Sequence, residues 1–162
     1  MKIWLTTDNH FGHAKMCEYE NRPINFSDRI IKGFSIIKEE DLLINLGDMC
    51  MGRDREMLET YIKPLKFKKV LVRGNHDKKS LQYYSQFFDF VCDSFTLNRH
   101  NKRILFSHIP QKDLGQYDIN IHGHCHSKER KIEFEPDMND KQKLLAIELT
   151  NYQPVLLDNF LR

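Results

Sequence analysis

The chain has 162 residues, a length that fits one domain with room for a hydrophobic core. Apolar residues make up 40% and charged residues 30% of it, which is typical of a soluble globular protein and excludes a long membrane span. The net charge of +2 excludes no class of partner, because nucleic-acid binders and enzymes can both have it. The apolar start, Met1-Lys2-Ile3-Trp4-Leu5, is too short for a signal peptide, so we expect a cytoplasmic protein that binds no membrane. The 4 cysteines are widely spaced without a C-x-x-C pair, which argues against a zinc ribbon.

The first half of the chain alternates between predicted strands and predicted helices. Short apolar runs predict strands at residues 2–7, 41–46 and 69–73. Between them, apolar residues at helical spacing predict helices at residues 27–38 and 53–62. This order predicts a parallel or mixed sheet with helices packed against it.

The second half is richer in predicted strands. After a short amphipathic helix at residues 79–87, residues 91–97 alternate, and residues 98–101 predict a hairpin turn. Further strands are predicted at residues 103–107, 117–121, 132–134 and 144–149, with a polar loop at 137–143 and a half-helix from Asp158. We expect this half of the chain to be antiparallel.

Polar side chains follow the predicted strands where each apolar run stops. Asp8 and His10 follow the first strand two residues apart, so they share one side of an extended segment. Asp48 follows the second strand, and Asn75 with His76 follows the third, each after a glycine that permits a sharp turn. Ligands bind at the carboxyl edge of such sheets, so these side chains are candidates for metal binding or proton transfer.

Histidines follow the later strands as well. His108 comes directly after residues 103–107, and His122, His124 and His126 fall within five residues after the next strand. Alternating histidines on an extended segment project to one side, so His124 and His126 can reach two adjacent metal ions. This density of histidine indicates a metal-binding segment.

The combined set offers nitrogen and oxygen ligands without sulfur. Its members are Asp8, His10, Asp48, Asn75, His108, His124 and His126. Such a set suits borderline divalent ions, and it is too large for one tetrahedral zinc. It is about right for two ions roughly 3.5–4 Å apart. We therefore expect two divalent metal ions, with Mn²⁺ first and Fe, Zn, Ni or Co as alternatives.

These motifs resemble those of the calcineurin-like metallophosphoesterases. That family has the blocks D-x-H, G-D, G-N-H-D/E, an isolated His and G-H-x-H, in this order. The chain has all of them, as Asp8-Asn9-His10, Gly47-Asp48, Gly74-Asn75-His76-Asp77, His108 and Gly123-His124-Cys125-His126. The resemblance is to the minimal single-domain branch of bacteria, archaea and phages. It implies an α+β fold, a four-layer α/β/β/α sandwich of two mixed β-sheets flanked by helices. This fold would span residues 1–162 without a cap or accessory domain.

The resemblance also implies a role for each candidate residue. Asp8, His10 and His126 would hold the first ion, Asn75, His108 and His124 the second, and Asp48 would bridge the two. A hydroxide between the ions would attack phosphorus in line, and His76 would protonate the leaving oxygen as the general acid. Asp77 would orient His76 or a ligand, with a helix N-cap as an equal alternative.

Four further residues near the motifs have open roles. His13, Arg73 and His122 are candidates for contact with the substrate or with a ligand. For Arg22 a surface salt bridge is favoured over contact with a substrate phosphate. One subset of the minimal branch shares the pattern D-x-H-F-G-H followed by Arg-Pro, but this pattern fixes no substrate.

The motifs favour an enzyme, a dinuclear metal-dependent phosphoesterase. A phosphodiesterase on small or nucleotide-like diesters is preferred, because an intact acid His76 helps an alkoxide to leave. The alternatives are a phosphomonoesterase on nucleotides or small phosphates and a non-catalytic metal-binding scaffold. Protein phosphatase activity is disfavoured, because the G-D block continues as Met49-Cys50 rather than as an acidic residue, Arg and Gly. Nucleic acid is not indicated as a partner, because the lysines around the third strand are typical of a solvated face. The sequence does not give the oligomeric state.

Overall fold

The computed structural model describes residues 1–127 and 139–162, and these residues contain two β-sheets. The first sheet has the strand order β4-β3-β2-β1-β9. Its strands are β1 (Ile3–Thr6), β2 (Leu42–Asn45), β3 (Lys68–Val72), β4 (Phe90–Cys92) and β9 (Val155–Leu156). Strands β1 to β4 are parallel, and β9 pairs antiparallel with β1. The predicted parallel β-α-β-α-β half is therefore confirmed.

The second sheet has the order β5-β6-β7-β8. Its strands are β5 (Ser94–Arg99), β6 (Lys102–Ser107), β7 (Ile119–His122) and β8 (Gln142–Leu144). β5 and β6 form an antiparallel hairpin, whose turn has φ of 51° at His100 and 58° at Asn101, as a tight two-residue turn requires. β6, β7 and β8 are parallel, so the expectation of an antiparallel second half is wrong for these three strands. The long connections between these strands allow the crossover that a parallel pair needs.

The helices of the first half are short. They are α1 (Met16–Tyr19), α2 (Phe26–Gly33) with a 3₁₀ turn at Phe34–Ile36, α3 (Asp54–Met57) continued by a π-helical turn at Leu58–Ile62, and α4 (Leu81–Tyr84). A 3₁₀ turn at Ile147–Thr150 and α5 (Leu157–Phe160) complete the set. Among the described helices, none is both long enough and apolar enough to cross a bilayer.

Two hydrophobic clusters lie on opposite faces of the first sheet. Leu43 of β2 and Leu71 of β3 belong to the cluster that also contains Ile30 of α2. Their immediate neighbours, Ile44 and Val72, belong to a second cluster shared with strands β6 and β7. Successive strand residues point to opposite faces, so the first sheet is buried on both sides, by helices and by the second sheet. The expected α+β fold, two mixed sheets flanked by helices, is confirmed.

Two sequence predictions in the second half are wrong. Residues 144–149 were expected as one strand, but β8 ends at Leu144 and a 3₁₀ turn begins at Ile147. These residues include the buried Leu145, Ala146 and Ile147, and a buried apolar run has no period that separates a strand from a helical turn. The alternating segment at 91–97 divides between β4 and β5, which lie in different sheets. The predicted strand at 132–134 lies outside the described residues.

Candidate metal centre

The carboxyl ends of β1, β2 and β3 lie side by side at one edge of the first sheet. Thr6 is paired with Asn45 across β1 and β2, and Asn45 with Leu71 across β2 and β3. Because the strands are parallel, the loops that follow them emerge together. These three loops carry the D-x-H, G-D and G-N-H-D motifs.

One group of donors consists of Asp8, His10 and His126. Asp8 Oδ1 lies 4.0 Å from His10 Nε2 and 3.8 Å from His126 Nε2. Within the described part of the chain, neither Asp8 Oδ1 nor either ring nitrogen of His10 has a hydrogen-bond partner, although all three atoms are buried. Leaving such atoms unpaired is costly, and coordination to a cation would satisfy them. The donor atoms of the three residues lie within 4.8 Å of one another, so they fit a metal ion.

A second group consists of Asn75, His108 and His124. Asn75 Oδ1 lies 2.9 Å from both His108 Nε2 and His124 Nδ1, and these two nitrogens are 3.3 Å apart. His108 Nδ1 donates to the carbonyl oxygen of Leu46 at 2.7 Å. This bond directs Nε2 toward Asn75 and leaves its lone pair free in the neutral ring, as in many metal-binding histidines.

Asp48 lies between the two groups. Its Oδ2 is 3.7 Å from His10 Nε2 and 3.4 Å from His108 Nε2. Burial alone would raise the pKa of Asp48, but His108 and the His76 amide outweigh burial and hold the pKa at about 2. Burial alone would likewise lower the pKa of His108, but Asp48 and Asp8 raise it to about 9. The electrostatic environment at this point therefore attracts positive charge, which is what a cation site requires.

His76 borders this arrangement without belonging to either donor group. Its backbone N–H donates to Asp48 Oδ1 at 2.8 Å, while its Nε2 lies 3.9 Å from Asp48 Oδ2. The side chain is 31% exposed, in contrast to the buried Asp48. His76 is thus held beside the donors with its ring accessible to a bound molecule.

Much of the donor geometry depends on a rare backbone conformation. Five of the seven candidate ligands have positive φ: Asp8 (49°), His10 (49°), Asp48 (55°), His124 (69°) and His126 (48°). This left-handed conformation costs a non-glycine residue about 1–2 kcal/mol. Backbone bonds hold it, since Asp8 N donates to Gly47 O and His10 N to Asp48 O, both at 2.9 Å.

Glycine is required where the loops meet. A Cβ added at Gly74 would lie 2.6 Å from Asp48 N, and one added at Gly47 would lie 2.7 Å from Gly74 Cα. No real Cβ approaches backbone this closely, so only glycine permits the contact between the two loops.

Asp77 joins the same two loops. Its carboxylate accepts from the backbone N–H groups of Asp48 and Gly74 at 2.8 Å and from that of Met49 at 3.1 Å. Burial raises its pKa to about 6 in spite of these bonds. The helix N-cap alternative is wrong, because Ser80 caps α4. Asp77 instead fixes the backbone that presents Asp48.

Arg22 is not at the surface, so the prediction of a surface salt bridge is wrong. Its side chain is 0% exposed and forms an ion pair with Glu148. Arg22 also donates to the carbonyl oxygens of Asp8 at 2.8 Å and Asn9 at 3.1 Å. The buried pair thereby supports the loop that carries Asp8 and His10.

Glu148 is a residue that sequence reasoning missed. Its Oε1 accepts from Arg22 Nε at 2.8 Å and from His126 Nδ1 at 3.2 Å. Glu148 therefore turns His126 so that its Nε2 faces Asp8. The one local signal was an acidic residue inside the apolar run that ends at Leu149.

The remaining candidates differ in what they contact. The ring of His13 lies 5.6 Å from that of His10, centroid to centroid, so His13 stays near the site. Arg73 binds Asp93 Oδ1 at 2.6 Å. His122 is buried and its Nδ1 donates to the carbonyl oxygen of Gly123 at 3.0 Å.

Comparison with known proteins identifies the family of the chain. A protein of Methanocaldococcus jannaschii, described as uncharacterised, is 30% identical over 97% of this chain and 88% of its own length. The crystal structure of a protein of unknown function from Aquifex aeolicus has a TM-score of 0.80 and 27% identity, covering 98% of this chain and 96% of that one. A structure described as a novel archaeal phosphodiesterase shares the fold, with a TM-score of 0.53 and 18% identity over 78% of this chain and 74% of that one. The sequence model described as calcineurin-like phosphoesterase matches residues 1–158. The chain therefore belongs to the calcineurin-like phosphoesterase family.

Proposed function

We propose that the protein is a dinuclear metal-dependent phosphodiesterase that acts on small or nucleotide-like diesters, with Mn²⁺ as its metal. Membership of the family makes phosphate esters the substrate class. The observation that carries the preference for a diester is the pair of separate cavities beside His76 and beside Asn75 and His108, because a diester has two substituents to place in them. Either kind of ester expels an alkoxide, which leaves far more readily when an acid protonates it, and His76 lies beside Asp48 but outside both donor groups.

In this proposal each donor group holds one ion. Asp8, His10 and His126 bind the first, Asn75, His108 and His124 bind the second, and Asp48 contributes to both. Two divalent ions, when bound, activate water and neutralise the charge that develops on the phosphoryl oxygens. The donors are held in place by hydrogen bonds with residues that are not themselves donors, namely Asp77, Arg22 and Glu148.

His76 serves as the proton donor to the leaving oxygen. The bond from its backbone N–H to Asp48 Oδ1, at 2.8 Å, fixes it relative to the donors, and its partly exposed ring is accessible to a substrate. General acids of this kind contribute about 10²–10⁴-fold to the rate.

The test compares two chromogenic esters after metal removal and addition of Mn²⁺. Turnover of bis-p-nitrophenyl phosphate well above that of p-nitrophenyl phosphate, lost again with a chelator, is the expected result. Faster turnover of the monoester would replace the proposal with a phosphomonoesterase. Two bound ions with no turnover of any ester would indicate a non-catalytic scaffold.

A further inference from the structure

Two cavities lie beside the candidate site, one against His76 and one against the second donor group, and they differ in their walls. The first, about 790 Å³, is lined by His76. The second, about 500 Å³, is lined by Asn75 and His108. Within the described part of the chain they share no lining residue. A diester centred on the donors has two substituents, and each cavity has a volume that suits one of them.

The two cavities differ in charge. The walls of the first contain four cationic side chains against two carboxylates. The walls of the second contain one cationic side chain against two carboxylates. The arginine of the second cavity, Arg73, is already paired with Asp93 at 2.6 Å. A substituent that carries extra negative charge is therefore favoured in the first cavity.

Two lysines of the first cavity are available to bind an anion. Arg53 and Arg55 are paired, with Glu56 at 3.4 Å and Glu59 at 3.2 Å. Lys78 and Lys79 are exposed and form no ion pair with a carboxylate of residues 1–127 or 139–162. An incoming phosphate can therefore use both ammonium groups without breaking an existing pair.

Hydrogen bonds hold the backbone of these lysines close to His76. Lys78 N donates to the carbonyl oxygen of His76 at 2.9 Å, and Arg73 Nη1 donates to that of Lys79 at 3.1 Å. Tyr83 adds an aromatic wall to the same cavity and packs against Tyr84 at 5.2 Å between ring centroids. Cationic and aromatic side chains together are typical of sites that bind nucleotides.

We propose that the substrate is a phosphodiester whose leaving group carries a second phosphate, bound by Lys78 and Lys79 in the cavity beside His76. This inference rests on the proposed function, in which His76 protonates the leaving oxygen. A phosphorylated dinucleotide is the simplest molecule of this class. In its hydrolysis, the oxygen of water forms a new P–O bond and the P–O bond to the phosphate-bearing alcohol breaks. One proton of the water ends on that alcohol, by way of His76, and the other stays with the new phosphate monoester.

The experiment compares three dinucleotides that differ only in a terminal phosphate. One has none, one carries it on the nucleoside that leaves, and one carries it on the nucleoside that stays. Chromatography of the products identifies the leaving side. We expect the phosphate on the leaving side to raise kcat/KM by about threefold to tenfold, the gain that two exposed ion pairs supply, and to lose effect at high salt.

A double variant and a matched control locate the contact. Lys78→Ala with Lys79→Ala is expected to bring the ratio of kcat/KM between phosphorylated and plain dinucleotide close to one. It should also weaken binding of the released nucleoside phosphate, measured by calorimetry without turnover. Lys66→Ala removes an exposed lysine outside the cavity and should leave the ratio as it is.

The outcomes separate this inference from the proposed function. Equal kcat/KM for the three dinucleotides, or a preference that survives the double variant, overturns the inference while hydrolysis of bis-p-nitrophenyl phosphate still supports a phosphodiesterase. Absence of turnover with every ester overturns both.

Discussion

Replacing Glu148 with glutamine removes one charge from the buried Arg22–Glu148 pair and keeps the shape of the side chain. The Arg22 guanidinium is 0% exposed and would retain the carbonyl oxygens of Asp8 and Asn9 but lose its counter-charge. Burial alone would raise the pKa of Glu148, but His126 and Arg22 outweigh burial and hold the pKa at about 2, so the native residue is charged at pH 7. The variant therefore has an uncompensated buried cation.

The expected loss of stability follows from that charge. Breaking a buried ion pair costs about 3–5 kcal/mol, and the lower end applies because the glutamine oxygen still accepts a hydrogen bond. For a domain of this size, about 3 kcal/mol lowers Tm by roughly 6–12 °C. Differential scanning calorimetry of the metal-free protein measures the change. Glu59→Gln, which removes an exposed partner of Arg55, is the control and should move Tm little.

Glu148→Gln should also weaken the binding of one metal ion. Without Glu148 the bond to His126 Nδ1 is weakened, and loss of such a supporting contact typically costs about 10–100-fold in metal affinity. Calorimetric titration should show weaker binding of one ion and unchanged binding of the other, because Asn75, His108 and His124 do not contact Glu148. Equal weakening of both ions, or an unchanged Tm in the metal-free protein, would refute the role assigned to this pair.

Three further predictions concern the proposed general acid, the carboxylate proposed to contact both ions, and a surface ion pair. His76→Ala should retain both ions and lose about 10²–10⁴-fold in activity on a dinucleotide, but much less on a p-nitrophenyl ester, whose leaving group needs no proton. Asp48→Asn should weaken the binding of both ions together, which the metal content after dialysis would show. The pKa of Asp158 is lowered from 3.8 to about 2 by hydrogen bonds from Arg99 and His100. A lowered pKa in the folded state stabilises the fold at neutral pH, and this stabilisation disappears as the pH falls from about 4 to 2. Because the pair is about 40% exposed, Asp158→Asn should cost only about 0.5 kcal/mol in urea unfolding at pH 7 and much less at pH 2.

Each of these has a contradicting outcome. Loss of metal from His76→Ala would make His76 a ligand, and His100→Ala, an exposed histidine in the hairpin turn, controls for removal of an imidazole. Loss of a single ion from Asp48→Asn would remove its shared role. An equal cost of Asp158→Asn at both pH values would mean that the side chain acts through packing rather than charge.

The parts of the fold that sequence predicted well are those with local signals. The consecutive apolar residues at 42–44 and 70–72 fit a sheet that is buried on both faces, and a glycine that the meeting of two loops requires follows each strand. The donors at Asp8, Asp48 and Asn75 could be grouped because parallel strands place their following loops at one edge.

The missed features depend on contacts between distant parts of the chain. Arg22 and Glu148 are 126 positions apart, so no local pattern pairs them. The 144–149 segment resembles a strand because its buried residues have no distinguishing period, whereas the end of β8 at Leu144 is set by where its pairing with β7 stops and not by apolarity. The parallel pairing of β6 with β7 is likewise decided by a crossover and not by either strand's residues.

The left-handed backbone at five of the seven candidate ligands has a consequence for evolution and engineering. Glycine would adopt these φ values without strain, so a change such as His10→Gly should relieve local strain and remove an unpaired buried polar group at once. Selection for heat resistance alone would therefore favour substitution of the ligand residues in these loops first. Their retention in a sequence reports selection for metal binding rather than for stability, and a thermostabilised form should be sought by changes elsewhere in the fold.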